Sequence, residues 1–363
     1  MSGRKYIFNA GPAVLPVPAL EKAQQDIMNF NGSGIGILEA SHRAKEFDTV
    51  FHETKARMRK LLDLPEDREI LFFQGGASLQ FSLVPMNLLP KDGSADFVNT
   101  GTWTKKAIAA AKKVGRVNEL LSTWGQDGVC RRVPKPEEVK VTDGAAYLHL
   151  CSNNTIFGTQ YHEFPDTGDV PLVVDMSSDI ACRVLDWSQF DLVFAGAQKN
   201  LGPAGVTIVI ISKRLLERCT DELPYMLNYK LFAEKDSLGN TPPTFAIYMV
   251  GRVLEWLEEQ GGVAGVEKVN RQKAGLLYDL FDSSDFYNGT ADPDSRSIMN
   301  VPFRLPSEDL EKKLIAEATA AGFAGIKGHR SVGGLRASIY NAMPLEGVEK
   351  FVDYLKAFEK KNG

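Results

Sequence analysis

The sequence is poor in cysteine and histidine and carries no excess of positive charge. Its 363 residues include four cysteines and five histidines. Cys130, Cys151, Cys182 and Cys219 lie far apart, form no CxxC pair and have no histidine at ligand spacing. That pattern argues against a zinc site and against a disulfide framework, so no metal is expected and free thiols in a reducing compartment are. The formal net charge of −4 offers no global basic field to nucleic acid or to an anionic membrane. An anionic substrate would need a local cluster of cations instead. No apolar run approaches membrane-spanning length, and the opening "MSGRKYIFNAGPAVLP" lacks the apolar stretch of a signal peptide. "GSGIGI" at 32–37 misses the GxGxxG spacing of dinucleotide-binding turns, and no Walker A pattern occurs. The expectation is a soluble, cytoplasmic protein with neither nucleic-acid nor membrane partner.

What remains is ordinary globular material, 44% apolar and 24% charged, and long enough for a large α/β unit or two domains. Short apolar runs ("EILFF", "ADFVNTG", "AAYLHLCSN", "PLVVDMSS", "DLVFAGAQ", "GVTIVIISK") punctuate the first two thirds of the chain. Amphipathic helical stretches such as "EFDTVFHETKARMRKLLDL" and "TWTKKAIAAAKKVG" lie among them. This alternation predicts a mostly parallel sheet covered on both faces. After "TFAIYMVGRVLEWLEEQGG" the pattern changes to helices with two or three strands, which suits a smaller α+β unit. The expected organisation is an N-terminal segment (1–15), a large α/β domain (16–258) and a small C-terminal α+β domain (259–363).

One lysine, Lys199, sits within "AGAQKNLGPAG", small residues between two apolar runs. A loop lysine with its ammonium in water would explain it. A desolvated lysine, by contrast, tends to lose its proton and becomes a nucleophile able to form a Schiff base. Ligands bind beyond the carboxyl ends of parallel strands. Lys199, Asp175, Gly75 and the pair Asn153 and Thr155 each follow a different predicted strand, so four segments converge on one rim. An aldehyde-bearing pyridine cofactor with a phosphate needs such a set. It requires a lysine, a carboxylate for the ring nitrogen, backbone amides at a helix N-terminus for the phosphate, and an aromatic face. Asp175, "QGGASLQF" (74–81) and Trp103 supply the last three.

At this point the sequence resembles a known family. Asp175, "AGAQKNLGPAG", "GNTPPTF" (239–245), "SHRAKEF" (41–47) and "GHRSVGGLRASIYNAM" (328–343) together are similar to the phosphoserine aminotransferases. These are class V pyridoxal-phosphate enzymes of fold type I, the aspartate-aminotransferase-like α/β fold. The likeness runs over essentially the whole chain. It implies that Lys199 carries pyridoxal 5′-phosphate as an internal aldimine and shuttles a proton, and that Asp175 pairs with the pyridinium nitrogen. It further implies that Trp103 stacks on the ring, that Thr155 bonds the ring hydroxyl, and that Ala77, Ser78 and Gln198 bind the phosphate. Asn240 and Thr241 would reach the neighbouring subunit's cofactor, which implies a homodimer. Arg336 would hold the substrate α-carboxylate, while His42, Arg43, His329 and Arg330 would form the cationic cluster for the anionic tail.

The activity so implied is reversible ping-pong amino transfer, a step of serine biosynthesis. O-phospho-L-serine and 2-oxoglutarate would give 3-phosphooxypyruvate and L-glutamate, with 4-phosphohydroxy-L-threonine as a further candidate substrate. Two departures from the usual wording stand out: Ala10 replaces a serine before "GP", and Leu79 brings bulk to the phosphate turn. A desulfurase of the same group would need a loop cysteine, and none of the four cysteines falls in these motifs. A non-catalytic protein that had kept the fold would have been free to lose Lys199 or Asp175.

Overall fold

A computed structural model describes residues 3–363. Its centre is a seven-stranded sheet built from β1 (Arg68–Phe73), β2 (Ser94–Asn99), β3 (Arg116–Ser122), β4 (Leu148–Cys151), β5 (Leu172–Asp175), β6 (Leu192–Gly196) and β7 (Thr207–Ser212). The order across the sheet is β1-β7-β6-β5-β4-β2-β3. All neighbours are parallel except those of β7, which runs antiparallel to both β1 and β6. The expected mostly parallel sheet is therefore present. The reversal at β7 has a simple cause: only residues 197–206 join β6 to β7, too few for the crossover that a parallel pair demands. β3 was not anticipated. It is an edge strand with three residues exposed, four part-exposed and none buried, and it shows no clean apolar alternation.

The central strands β4 to β7 are buried at every residue, as sheets covered on two faces require. One face packs on an apolar cluster that includes Phe47, Phe51 and Met58 of the helix Lys45–Leu61 and Ile247, Val250 and Leu254 of the helix Thr244–Glu259. The other face packs on Phe81, Val84 and Leu88 of the helix Gly76–Leu88, with Ala107 and Ile108 of the helix Thr102–Ala111. At about 0.8 kcal/mol per buried methylene these layers fix the sheet, and with it the rim where the strands end.

A second apolar cluster gathers around the three-stranded antiparallel sheet of Asn288–Gly289, Asn300–Arg304 and Leu335–Ser338. The helices Glu308–Ala320 and Leu345–Asn362 contribute to it, as does the C-terminal half of the helix Gly262–Asp282. The start of that last helix, Val263 and Val266, packs in the first cluster instead. The opening residues go with the second cluster: Tyr6–Ile7 pair in parallel with Phe323–Ala324, and Phe8 is fully buried there. The chain then crosses to the rim of the large sheet, where the Ala13 amide donates to the Gln198 carbonyl at 2.8 Å.

Candidate active site

A cavity of about 320 Å³ opens at the carboxyl ends of β1, β2, β4, β5 and β6. Its walls include Gly76, Ala77, Ser78, Trp103, Thr155, Asp175, Gln198, Lys199, His329 and Arg336. Ala10 and Gly11 close one side.

Lys199 follows β6. Its side chain is part-exposed at the cavity but surrounded by protein, and burial lowers its proton affinity while nearby Asp175 raises it. Asp175 ends β5, the neighbouring strand, and is 5% exposed. Burial raises its proton affinity, and the Lys199 charge and the hydrogen bonds from Ser177 oppose that shift. One carboxylate oxygen, Oδ1, accepts from the Ser177 amide at 3.0 Å. The two ionisable groups thus face one cavity and act on each other through space. The backbone makes room for the lysine, because a Cβ at Gly11 would lie 3.4 Å from Lys199 Cγ and the φ of Gly11 is +143°.

β1 ends in a tight turn whose Gly75 has a φ of +84°, in the left-handed region that favours glycine. The helix Gly76–Leu88 begins at once and has no side-chain cap, so its first amides, with Ala77 and Ser78, remain free at the cavity. Leu79 packs back over this turn, and a Cβ at Gly75 would come within 2.7 Å of its Cδ2. β2 ends similarly, with Gly101 preceding the helix that carries Trp103. Trp103 Nε1 donates to Thr155 Oγ1 at 3.1 Å, and the Lys199 ammonium lies 5.8 Å from the indole centroid.

Arg336 enters from the small sheet and is 9% exposed. Its Nη1 donates to the Thr155 carbonyl at 2.8 Å, while Nε is buried with no partner. Such an orphaned donor is expensive unless a ligand meets it. His329 lines the same mouth, and its proton affinity is lowered by burial first and then by Arg336, Arg330 and Lys106. A local cationic cluster therefore exists in a protein of net negative charge.

Of the residues expected from sequence, the cavity wall brings together Ala77, Ser78, Trp103, Thr155, Asp175, Gln198, Lys199, His329 and Arg336. It does not include His42, Arg43, Arg330, Asn240 or Thr241. Arg330 is exposed but close enough to act on His329. His42 and Arg43 precede the helix Lys45–Leu61, and Asn240 and Thr241 lie beside the end of β1, where Gln74 Nε2 donates to the Thr241 carbonyl at 3.4 Å. Sequence reasoning missed Ser177, Ser178, Cys151, Ile156 and Lys106. Ser177 carries a usable signal, a small polar residue two after a strand-end carboxylate, whereas Lys106 looks like any surface lysine. Cys151 lines the cavity, but burial raises its thiol far above the usual range, so it stays protonated and unreactive.

The arrangement suits a phosphorylated pyridine aldehyde. It offers an amine, a buried carboxylate on the next strand, free helix-terminal amides and an indole face within one cavity. Comparison with known proteins points the same way. The family profile described as aminotransferase class-V matches residues 5–351. The chain is 56% identical to a phosphoserine aminotransferase of Desulfatibacillum aliphaticivorans, over 100% of both chains. Its structure is similar to that of a phosphoserine aminotransferase from Bacillus circulans subsp. alkalophilus, with a TM-score of 0.97, 50% identity and 100% of each chain covered. A pyridoxal-phosphate-bound phosphoserine aminotransferase from Trichomonas vaginalis gives a TM-score of 0.92 at 38% identity, covering 97% of this chain and 100% of that one.

Proposed function

The chain belongs to the class-V aminotransferase family and has its fold type I architecture, and from that premise we propose that it is a phosphoserine aminotransferase. It exchanges the amino group between O-phospho-L-serine and 2-oxoglutarate, giving 3-phosphooxypyruvate and L-glutamate. The observation that carries this reading is the pairing of Lys199 and Asp175 at the ends of adjacent buried strands, on a cavity that also collects cations at its mouth.

Pyridoxal 5′-phosphate, when bound, supplies the electron sink that makes the substrate α-proton removable. Lys199 holds it, Asp175 keeps its ring nitrogen protonated, Trp103 and Thr155 fix its ring, and the amides of Ala77 and Ser78 with Gln198 hold its phosphate. Because desolvation lowers its proton affinity, the Lys199 amine is available to take and return the α-proton. Arg336 presents a planar fork to the α-carboxylate common to both amino acids. His329 and Arg330 receive the phosphate of one substrate and the γ-carboxylate of the other. One site must take both in turn, because the exchange is ping-pong.

The reading includes a homodimer in which Asn240 and Thr241 reach the neighbouring subunit's cofactor. Met28, Ile35 and Leu38 are 78%, 42% and 54% exposed along the segment that leads to His42 and Arg43, an apolar surface that suits a second copy. The four cysteines are all unpaired, which suits the cytoplasm.

The test is an absorbance titration of the cofactor-loaded protein with O-phospho-L-serine and no keto acid. A near-visible band that collapses to the aminated cofactor supports the assignment, and Lys199→Ala should hold the cofactor non-covalently and fail to turn over. A band discharged by L-glutamate but by neither O-phospho-L-serine nor 4-phosphohydroxy-L-threonine would defeat the phosphate-site assignment.

A further inference from the structure

A second lysine, Lys273 on the helix Gly262–Asp282, is fully buried and has no place in the chemistry above. Its ammonium donates to three backbone carbonyls: Ile339 at 2.8 Å, Tyr340 at 2.8 Å and Met343 at 3.1 Å. Three donors meet three acceptors, so the charge is hydrogen-bonded to saturation. Burial pulls its proton affinity down, to about 7, and the nearby Cys182 opposes that shift. An apolar side chain would fill the space without the desolvation cost of an ammonium, so a lysine is informative about what it grips.

The gripped segment, 339–343, bears on the candidate site by three routes. It continues directly from the strand Leu335–Ser338, which carries Arg336. Tyr340 donates its hydroxyl to the Ala10 carbonyl at 2.7 Å, and Ala10 and Gly11 form the wall against the Lys199 side chain. The Asn341 amide donates to Asn200 Oδ1 at 3.0 Å, and Asn200 is the chain neighbour of Lys199. Asn270, one turn before Lys273 on the same helix face, donates to Asn341 Oδ1 at 2.8 Å and so grips the same segment.

We propose that Lys273 is a positioning residue for amino transfer: by holding the carbonyls of 339–343 it sets the Ala10–Gly11 wall and the Asn200 anchor, and through them the reach of the Lys199 amine. This rests on the reading of Lys199 as the cofactor lysine. A 1 Å displacement of a reacting group is enough to cost about a hundredfold in rate, while cofactor and substrate remain bound.

The test uses cofactor-loaded Lys273→Met and Tyr340→Phe, singly and together. The readouts are the single-turnover rate with O-phospho-L-serine, its KM, and the pH midpoint of the near-visible cofactor band. Lys273→Met is expected to lower the rate roughly tenfold to a hundredfold, change KM less than about threefold and shift the band's pH midpoint. Tyr340→Phe, which deletes one hydroxyl and keeps the packing, is expected to lower the rate in the same sense, and the double variant to lose less than the product of the two losses. A lower melting temperature with unchanged rate and pH midpoint would show that Lys273 is only structural and would overturn the proposal. If Lys273→Met does not fold, an unchanged rate and pH midpoint in Tyr340→Phe overturns it equally. A wild-type protein without the band defeats the cofactor reading itself, and that outcome is distinct from either of these.

Discussion

His149 offers a test of the buried sheet that is independent of catalysis. It lies on β4, 2% exposed, stacked on Phe97 at 5.0 Å and near Phe194 at 6.1 Å. Both ring nitrogens are buried without partners, and burial pushes its proton affinity from the ordinary 6.5 down to about 3. Below pH 6.5 the unfolded chain therefore takes up a proton that the folded chain refuses. Stability from this group is fully present above the unfolded value and is lost progressively as the pH falls from 6.5 toward 3. At about pH 5 the unfolded histidine is almost wholly protonated and the folded one almost wholly neutral, which amounts to about 2 kcal/mol relative to pH 7.5. His149→Leu removes the group with little change of volume. The assay is urea unfolding of wild type and His149→Leu at both pH values, read as a double difference. Static packing costs and the titration of all other groups cancel in that difference, and His149→Leu should resist acid better by about 2 kcal/mol. Equal acid sensitivity in the two proteins would mean that His149 is protonated or solvated in the fold, and the argument would fail.

Arg336→Ala should raise KM for both amino acids by roughly tenfold to a hundredfold, the loss of a charge-assisted fork worth about 1.5–3 kcal/mol, whereas an effect on phosphoserine alone in steady-state kinetics would remove Arg336 from the α-carboxylate. Gly101→Ala should sharply lower the melting temperature or the soluble yield, because its Cβ would lie within 2.0 Å of Asn154 Nδ2 at a φ of +150°; an unchanged melting curve would mean that the Trp103 helix can shift freely.

The sequence made the rim of the sheet legible because two strong regularities operate there. Apolar runs mark buried parallel strands, and polar or glycine-rich residues just beyond them mark the ligand side. Lys199, Asp175, Thr155 and the Gly75–Gly76 turn were found by that rule. The resemblance to a family added Ala77, Ser78, Gln198, His329 and Arg336 to the same wall. What escaped was whatever depends on distance through space. The two "HR" pairs read alike, yet His329 lines the cavity and His42 does not. The opening segment gave no hint of its strand partner, because Tyr6–Ile7 pair with residues three hundred positions away. Lys273 was invisible for the opposite reason. It sits in an amphipathic helix among residues such as Glu267, Lys268 and Arg271, where a lysine is expected to face water. Only the three carbonyls around its ammonium show that this helix face is turned inward. Periodicity reports how often a helix is apolar, and one charged residue on the inner face hardly changes it. A buried lysine is therefore hardest to see where the helix around it is most regular, and such positions are where structure adds most to a reading of sequence.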